Sequence, residues 1–358
     1  MKNHKSISPI LFAFLILLLA VLLFTSDRPA TSQSRDRRVN ANATAENNNR
    51  APKDPASPQE VVKVDVDLVT LDALVLEKKT ARIVGGLKQE DFLLYEDGAK
   101  QAITHFSQDS LPLSVLLLVD RGGCLDPFGD KVRRAAREAI ERLKPEDEMA
   151  LMAYHNSTQL LQGFTKNRIM IEDALNRIPP HDEEAEHCLN QLFFDAADYT
   201  LRASNPIGRR VMIVITGVTR NFDCPNGPSG RIAANQVYES GAVVCGIIPK
   251  EMGQGVENGI MVWATRMGKL GGAPYMDIET LANETGGEIL SDKPENLSTT
   301  FQTLMDHLRS RYNLAFVSTN KKRDGTTRQL KIDLAQSAQK SKDKLVIKAR
   351  RSYIAPGS

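Results

Sequence analysis

Residues 114–128 read SVLLLVDRGGCLDPF, and most of the fold follows from how that stretch is read. Five apolar residues in a row, 115–119, lead into Asp120 and then a loop with Gly122, Gly123 and Cys124. A strand with no polar alternation is covered on both faces, as in a parallel sheet with helices on either side. In such sheets ligands bind beyond the carboxyl ends of the strands, where Asp120 falls. The plainer role for such an aspartate is to accept hydrogen bonds from loop amides.

The surroundings support this reading. Residues 130–143 place Val132, Ala136, Ala139, Ile140 and Leu143 at helical spacing, with charged residues between them. Strand-like apolar runs recur at 149–154, 211–216 and 243–248, and helical patterns at 169–178, 189–202 and 278–283. Alternation of this kind predicts a doubly wound, mostly parallel α/β sheet over residues 111–309.

On both sides of that region the period changes to two. Val62, Val64, Val66 and Leu68 share one face; the phase then slips to Val69, Leu71, Ala73 and Val75, as at a bulge. Residues 85–106 hold two β-prone runs around Asp97-Gly98, a hairpin signal. Past a helix at 297–308, alternation returns in Tyr312, Leu314 and Phe316, then Leu330, Ile332 and Leu334, then Leu345 and Ile347, with a turn at Asp324-Gly325. The two β segments, 60–110 and 310–356, are each small for a core of their own. Together they predict one β-sandwich into which the α/β domain is inserted.

Lys2 and Lys5 precede an apolar run at 10–24, so residues 1–26 read as an export signal. The run is shorter than the roughly 20 residues of a spanning helix, and 30–32 (ATS) is a mediocre cleavage site, so an uncleaved anchor stays open. Arg28, Arg35, Arg37 and Arg38 after the run oppose a simple anchored orientation. Either way the body is expected outside the cytoplasm: periplasmic, secreted or membrane-anchored. Residues 27–59, rich in Asn, Ala, Ser, Arg and Pro, read as a disordered linker. A formal net charge of +2 with interspersed signs argues against a nucleic-acid partner. The membrane enters only through an uncleaved N-terminus.

The loop at Asp120, the α/β order and the segment IETLANETGGEIL (278–290) resemble a von Willebrand factor A-type (vWA) domain. The flanks GLKQEDFLLYEDGAKQAITHF, SRYNLAFV and RRSYIAP resemble the exported VWFA-related Acidobacterial domain family, over residues 61–355. Many vWA domains hold Mg²⁺ in a metal-ion-dependent adhesion site: a D-x-S-x-S loop, a threonine on a second loop and an aspartate after the fourth strand. Alignment keeps Asp120 but puts Gly122 and Cys124 at the serines, Gln191 at the threonine and Gly217 at the second aspartate. With so few of the hard oxygen ligands Mg²⁺ requires, the site is expected to be degenerate and to hold no metal. No cofactor is expected.

Cys245 lies in an apolar run and reads as a core thiol. If the resemblance holds, Cys124, Cys188 and Cys224 share one end of the sheet, and one disulfide is expected among them, its pairing left open. HDEEAEHC (181–188) invites a zinc reading, but His181-x₅-His187 fits no standard structural zinc spacing, and a solvated acidic loop is expected instead. There is no G-x-S-x-G elbow, Walker loop or G-x-G-x-x-G after a strand. Met252, Met261, Trp263 and Met267, in an insertion at 250–275, either pack back on the domain or form a partner patch. The expectation is a non-enzymatic, adhesion-type module for an unidentified protein partner. The alternatives are a structural cell-envelope component anchored by its N-terminus and, less favoured, an uncharacterised hydrolase.

Overall fold

A computed structural model of the chain describes residues 68–122, 126, 128–224, 227–250, 275–338 and 344–357. The chain divides into two units, 1–59 and 60–358, and all the described residues belong to the second. The N-terminal segment 1–26, the linker 27–59, the alternation at 62–66, Cys124 and the residues Met252, Met261, Trp263 and Met267 lie outside the described residues. Among the described residues no helix is long and apolar enough to cross a membrane.

The apolar stretch at 113–120 forms β5 (Leu113–Asp120), buried at every position. It lies inside a six-stranded sheet with β6 (Glu148–Tyr154), β7 (Thr158–Thr165), β8 (Arg209–Ile215), β10 (Val243–Pro249) and β12 (Ile289–Asp292), in the order β12-β10-β8-β5-β6-β7. All neighbours are parallel except β7, which runs antiparallel to β6 at the edge.

The alternating side chains of β5 separate two cores. Leu113, Val115, Leu117 and Val119 face α1 (Asp130–Glu141), α2 (Arg168–Asn176) and α6 (Leu297–Arg309). Leu116 and Leu118 face α3 (Leu189–Thr200), α4 (Gly230–Ser240) and α5 (Ile278–Thr285). This is the mostly parallel, doubly wound α/β layer predicted from the sequence. Strand β7 was not predicted, because TQLLQGFT mixes polar and apolar residues irregularly and Leu160 is 47% exposed at the sheet edge.

The flanking segments interleave in two further antiparallel sheets. One has the order β15-β1-β13-β4, from β1 (Leu68–Glu77), β4 (Ile103–Ser107), β13 (Tyr312–Val317) and β15 (Leu345–Ala349). The other has the order β16-β14-β2-β3, from β2 (Phe92–Glu96), β3 (Ala99–Gln101), β14 (Thr327–Leu334) and β16 (Ser352–Ile354). Leu71, Ala73 and Val75, the second phase of the alternation, share one core with Phe92, Leu94, Tyr312, Leu314, Phe316 and Leu330. Pairing of β1 with β13 runs without a break from Leu68 to Ala73. Asp97 and Gly98 turn the β2–β3 hairpin with φ of 47° and 82°, the left-handed pair that such a turn requires.

Candidate functional site at the carboxyl end of the sheet

Asp120 ends β5 with its side chain 1% exposed. A carboxylate removed from water to this degree is stable only with hydrogen-bond donors around it. The chain supplies three. Oδ1 accepts the Gly122 N–H at 3.2 Å. Oδ2 accepts the Thr216 hydroxyl at 2.7 Å and the Nδ1 of His187 at 2.6 Å. Thr216 follows β8, the neighbour of β5, and its Oγ1 in turn accepts the Val218 N–H at 3.3 Å. On the other neighbour Tyr154 sits opposite Asp120, and its phenol is shifted upward by burial and then by the charges of Asp120, Glu186 and Asp195.

His187 arrives on the segment 181–188, the acidic run expected to be a solvated loop. That expectation fails for part of the run. The segment is a strap laid across the end of β5: the Asp182 N–H donates to the Arg121 carbonyl at 3.0 Å, and Gly122 forms an isolated parallel bridge with Asp182. Glu183, Glu184 and Glu186 are exposed, while Ala185 and Cys188 are buried and His187 turns inward. The strap explains Gly122 as well. A Cβ there would lie 2.6 Å from the Glu186 carbonyl oxygen and 2.9 Å from that of Ala185, so the strap can cross only a glycine.

Neighbouring charges hold the base of the strap. Arg121, 2% exposed, donates to the Pro179 carbonyl at 2.8 Å and pairs with Asp126. Burial would raise the Asp126 carboxyl, but the Arg121 guanidinium, the Phe128 N–H and His181 together hold it below its ordinary value. His155, just past β6, lies 3.6 Å from Asp182.

The disulfide joins Cys188 to Cys224, 36 positions apart with Cα atoms 5.4 Å apart, which leaves Cys124 out of the pair. Cys188 is the N-cap residue of α3, so the bond ties the end of the strap to the loop after β9 (Arg220–Phe222). Asn190, fully buried, reinforces it by accepting the Cys224 N–H at 3.1 Å and donating to the Pro228 carbonyl at 2.8 Å. Cys245 is fully buried with its thiol pushed up to about 12 by burial, and it is free.

Of the aligned metal-site positions, Asp120 and Gly122 meet directly. Gln191 lies on the first turn of α3 and donates to Asp195 at 2.8 Å, and Gly217 follows Thr216 with no side-chain oxygen to offer. Sequence reasoning missed His187 and Thr216 as partners of Asp120. Thr216 was within reach: strand ends next to one another in a parallel sheet converge, and it is the first residue after β8.

No family model matches the chain, and no curated protein matches it. Solved structures similar to it include an aerotolerance-related membrane protein from Bacteroides fragilis NCTC 9343, at 14% identity and a TM-score of 0.39, covering 55% of this chain and 98% of that one. Another is the conserved hypothetical protein BatB from Bacteroides thetaiotaomicron, at 15% identity and a TM-score of 0.34, covering 55% of this chain and all of that one (100%). The VWA domain of SpRpn10 is similar at 14% identity and a TM-score of 0.35, over 54% of this chain and 94% of that one. The fold itself rests on the strand order and the two helix layers described above.

Proposed function

We propose that the chain is a vWA-type protein-binding module that works without a bridging metal ion. The observation that carries this reading is the saturation of Asp120 by Gly122, His187 and Thr216. In an adhesion-type metal site this carboxylate and neighbouring hydroxyls would face an ion. Mg²⁺ takes six oxygens in a near-octahedral shell. Here Gly122 and Gly217 offer no side-chain oxygen, Gln191 is engaged with Asp195, and Oδ2 of Asp120 is taken by the His187 imidazole and the Thr216 hydroxyl. The residues present do not fit Mg²⁺, and the site is read as a degenerate descendant of one that did. The strap and the disulfide give the top face a fixed shape that no ion has to order.

In this reading the chain belongs to the exported VWFA-related group named for its flanking motifs. It is non-enzymatic, acts outside the cytoplasm and meets a protein partner through the top face or the insertion at 250–275. The disulfide supports an oxidising compartment. The lack of nucleophile and nucleotide motifs in the sequence supports a binding role over hydrolysis.

Two measurements test the proposal. Calorimetric titration of Mg²⁺ and Mn²⁺ into the purified full-length chain should give no saturable heat in the sub-millimolar range; saturable binding there overturns metal independence. Crosslinking capture from envelope extract should recover the same partner in chelator as in Mg²⁺, and a partner lost in chelator also overturns it.

A further inference from the structure

The strap holds a second cluster, separate from Asp120. A carboxylate oxygen of Glu186 and the sulfurs of Cys188 and Cys224 all lie within 4.8 Å of one another. The Cys224 Sγ is 3.5 Å from Oε2 of Glu186, and the carboxylate stands at the solvent edge while both cysteines are buried. We propose that these three side chains form a redox-gated Zn²⁺ site: a disulfide under oxidising conditions, and two thiolates with a carboxylate for a borderline-soft divalent cation once the bond is reduced.

Three features of the fold suit the reduced state. First, hydrogen bonds besides the covalent bond hold the two cysteine backbones. Asn190 clasps the Cys224 backbone from within α3, and the Cys188 N–H donates to the Glu186 carbonyl at 3.0 Å, which fixes Glu186 and Cys188 in one tight turn. Second, Cys188 caps the N-terminus of a 12-residue helix, where the helix field favours a thiolate over a thiol. Third, the reach is short: tetrahedral Zn²⁺, with bonds of about 2.0–2.3 Å, sets its ligand atoms roughly 3.5 Å apart, which is already the separation of Cys224 Sγ and Glu186 Oε2, while the two sulfurs, bonded here, have to part to that separation once reduced. The fourth position is left to water or to a partner's group. In the sequence the His181–His187 spacing argues against zinc; in the structure His187 turns to Asp120, and it is its neighbour Cys188 that meets a cysteine 36 positions on.

The chemistry closes in two steps. A dithiol reductant attacks the disulfide, the Cys188–Cys224 bond breaks, and the reductant leaves as its own cyclic disulfide. Two electrons and two protons pass to the protein. Zn²⁺ then displaces the two thiol protons and accepts Glu186 as carboxylate. The oxidised form has no thiolate to offer, so covalent tie and metal tie exclude one another.

The test uses the full-length chain with Cys124→Ser throughout, so that thiolate signals come from the pair. Oxidised protein, and protein reduced with a phosphine and then freed of it under anaerobic conditions, are titrated with Zn²⁺ and with Co²⁺. The reduced form should bind one Zn²⁺ per chain and show a thiolate-to-cobalt charge-transfer band; the oxidised form should do neither. Glu186→Gln, which leaves the disulfide and the fold in place, should weaken Zn²⁺ binding by about tenfold or more. Cys224→Ser should abolish the charge-transfer band's two-thiolate intensity. Equal binding by the oxidised chain, no binding by the reduced chain, or an affinity unchanged in Glu186→Gln overturns the site. None of these results bears on Mg²⁺ at Asp120, so the two proposals fail independently.

Discussion

The two ends of the central sheet bury carboxylates in different ways. At the carboxyl end Asp120 is met by an amide, a hydroxyl and an imidazole, and the surrounding loops are tied by a covalent bond. Toward the amino end, where β8 begins against the sandwich, Asp72 of β1 is met by two guanidinium groups. Arg209 reaches Oδ2 at 2.6 Å and Arg311 reaches Oδ1 at 2.7 Å. Arg311 is fully buried and also donates to the Gly286 carbonyl, while Arg209 reaches Asn313 and the Leu308 carbonyl. Burial would raise the Asp72 carboxyl, but the two arginines outweigh it and hold the group at about 2. The amino end is thus an ion-pair clamp that fastens sandwich to sheet. The carboxyl end is a surface held in shape by short-range bonds.

The largest effect should come from breaking the clamp. Asp72→Ala leaves Arg311 charged, buried and without its carboxylate, and removing one partner of a buried ion pair costs about 3–5 kcal/mol. Chemical denaturation should show a loss of this size. A loss below about 1 kcal/mol would mean that water reaches the arginines and that the clamp is a surface feature.

Next in size is the covalent tie at the other end. A disulfide across a separation of 36 residues contributes about 4 kcal/mol by restricting the unfolded chain. The double variant Cys188→Ser/Cys224→Ser should therefore melt well below the oxidised parent and close to the reduced, metal-free parent. Equal melting of all three would show that Asn190 alone holds the loop.

Much of this contrast was legible in the sequence at the level of the fold and little of it at the level of the sites. The apolar run into Asp120, the return of period-two alternation after residue 310 and the Asp97-Gly98 turn are local signals, and each matches an element. The clamp and the strap are long-range. Asp72 meets arginines 137 and 239 positions away, and His187 meets Asp120 from 67 away. Nothing in a charge run such as HDEEAEHC marks which member turns inward; the fold decides this by passing the run over a glycine. Cysteines are an intermediate case, because their chemistry narrows the partners to a few while the geometry chooses Cys188 and Cys224.

The two ends should also part company in acid. Asp72 ionises more readily in the folded chain, at about 2, than at its ordinary value of 3.8. Its stabilising contribution is therefore complete above pH of about 4 and is lost as pH falls toward about 2, a total of about 2 kcal/mol. Stability measured against pH should fall through that window in the parent, and the contribution should be missing from Asp72→Ala. If the variant's slope matches the parent's, other carboxylates carry the acid sensitivity.

The smallest expected effect tests the carboxyl end alone. His187→Ala removes one of three donors to Asp120 while Thr216 and Gly122 keep theirs, so the loss should be about 1.5 kcal/mol, the size of one hydrogen bond to a charged group. Its location is more informative than its size. Amide exchange should quicken at Asp182 and Ala185, whose N–H groups tie the strap to Arg121 and to itself, and should stay unchanged at the β5–β8 pairing beneath. That pattern would establish the imidazole as what seats the strap on the strand-end carboxylate. Faster exchange throughout the sheet would instead make His187 part of the general core, and the comparison between a clamped end and a shaped end would lose its basis.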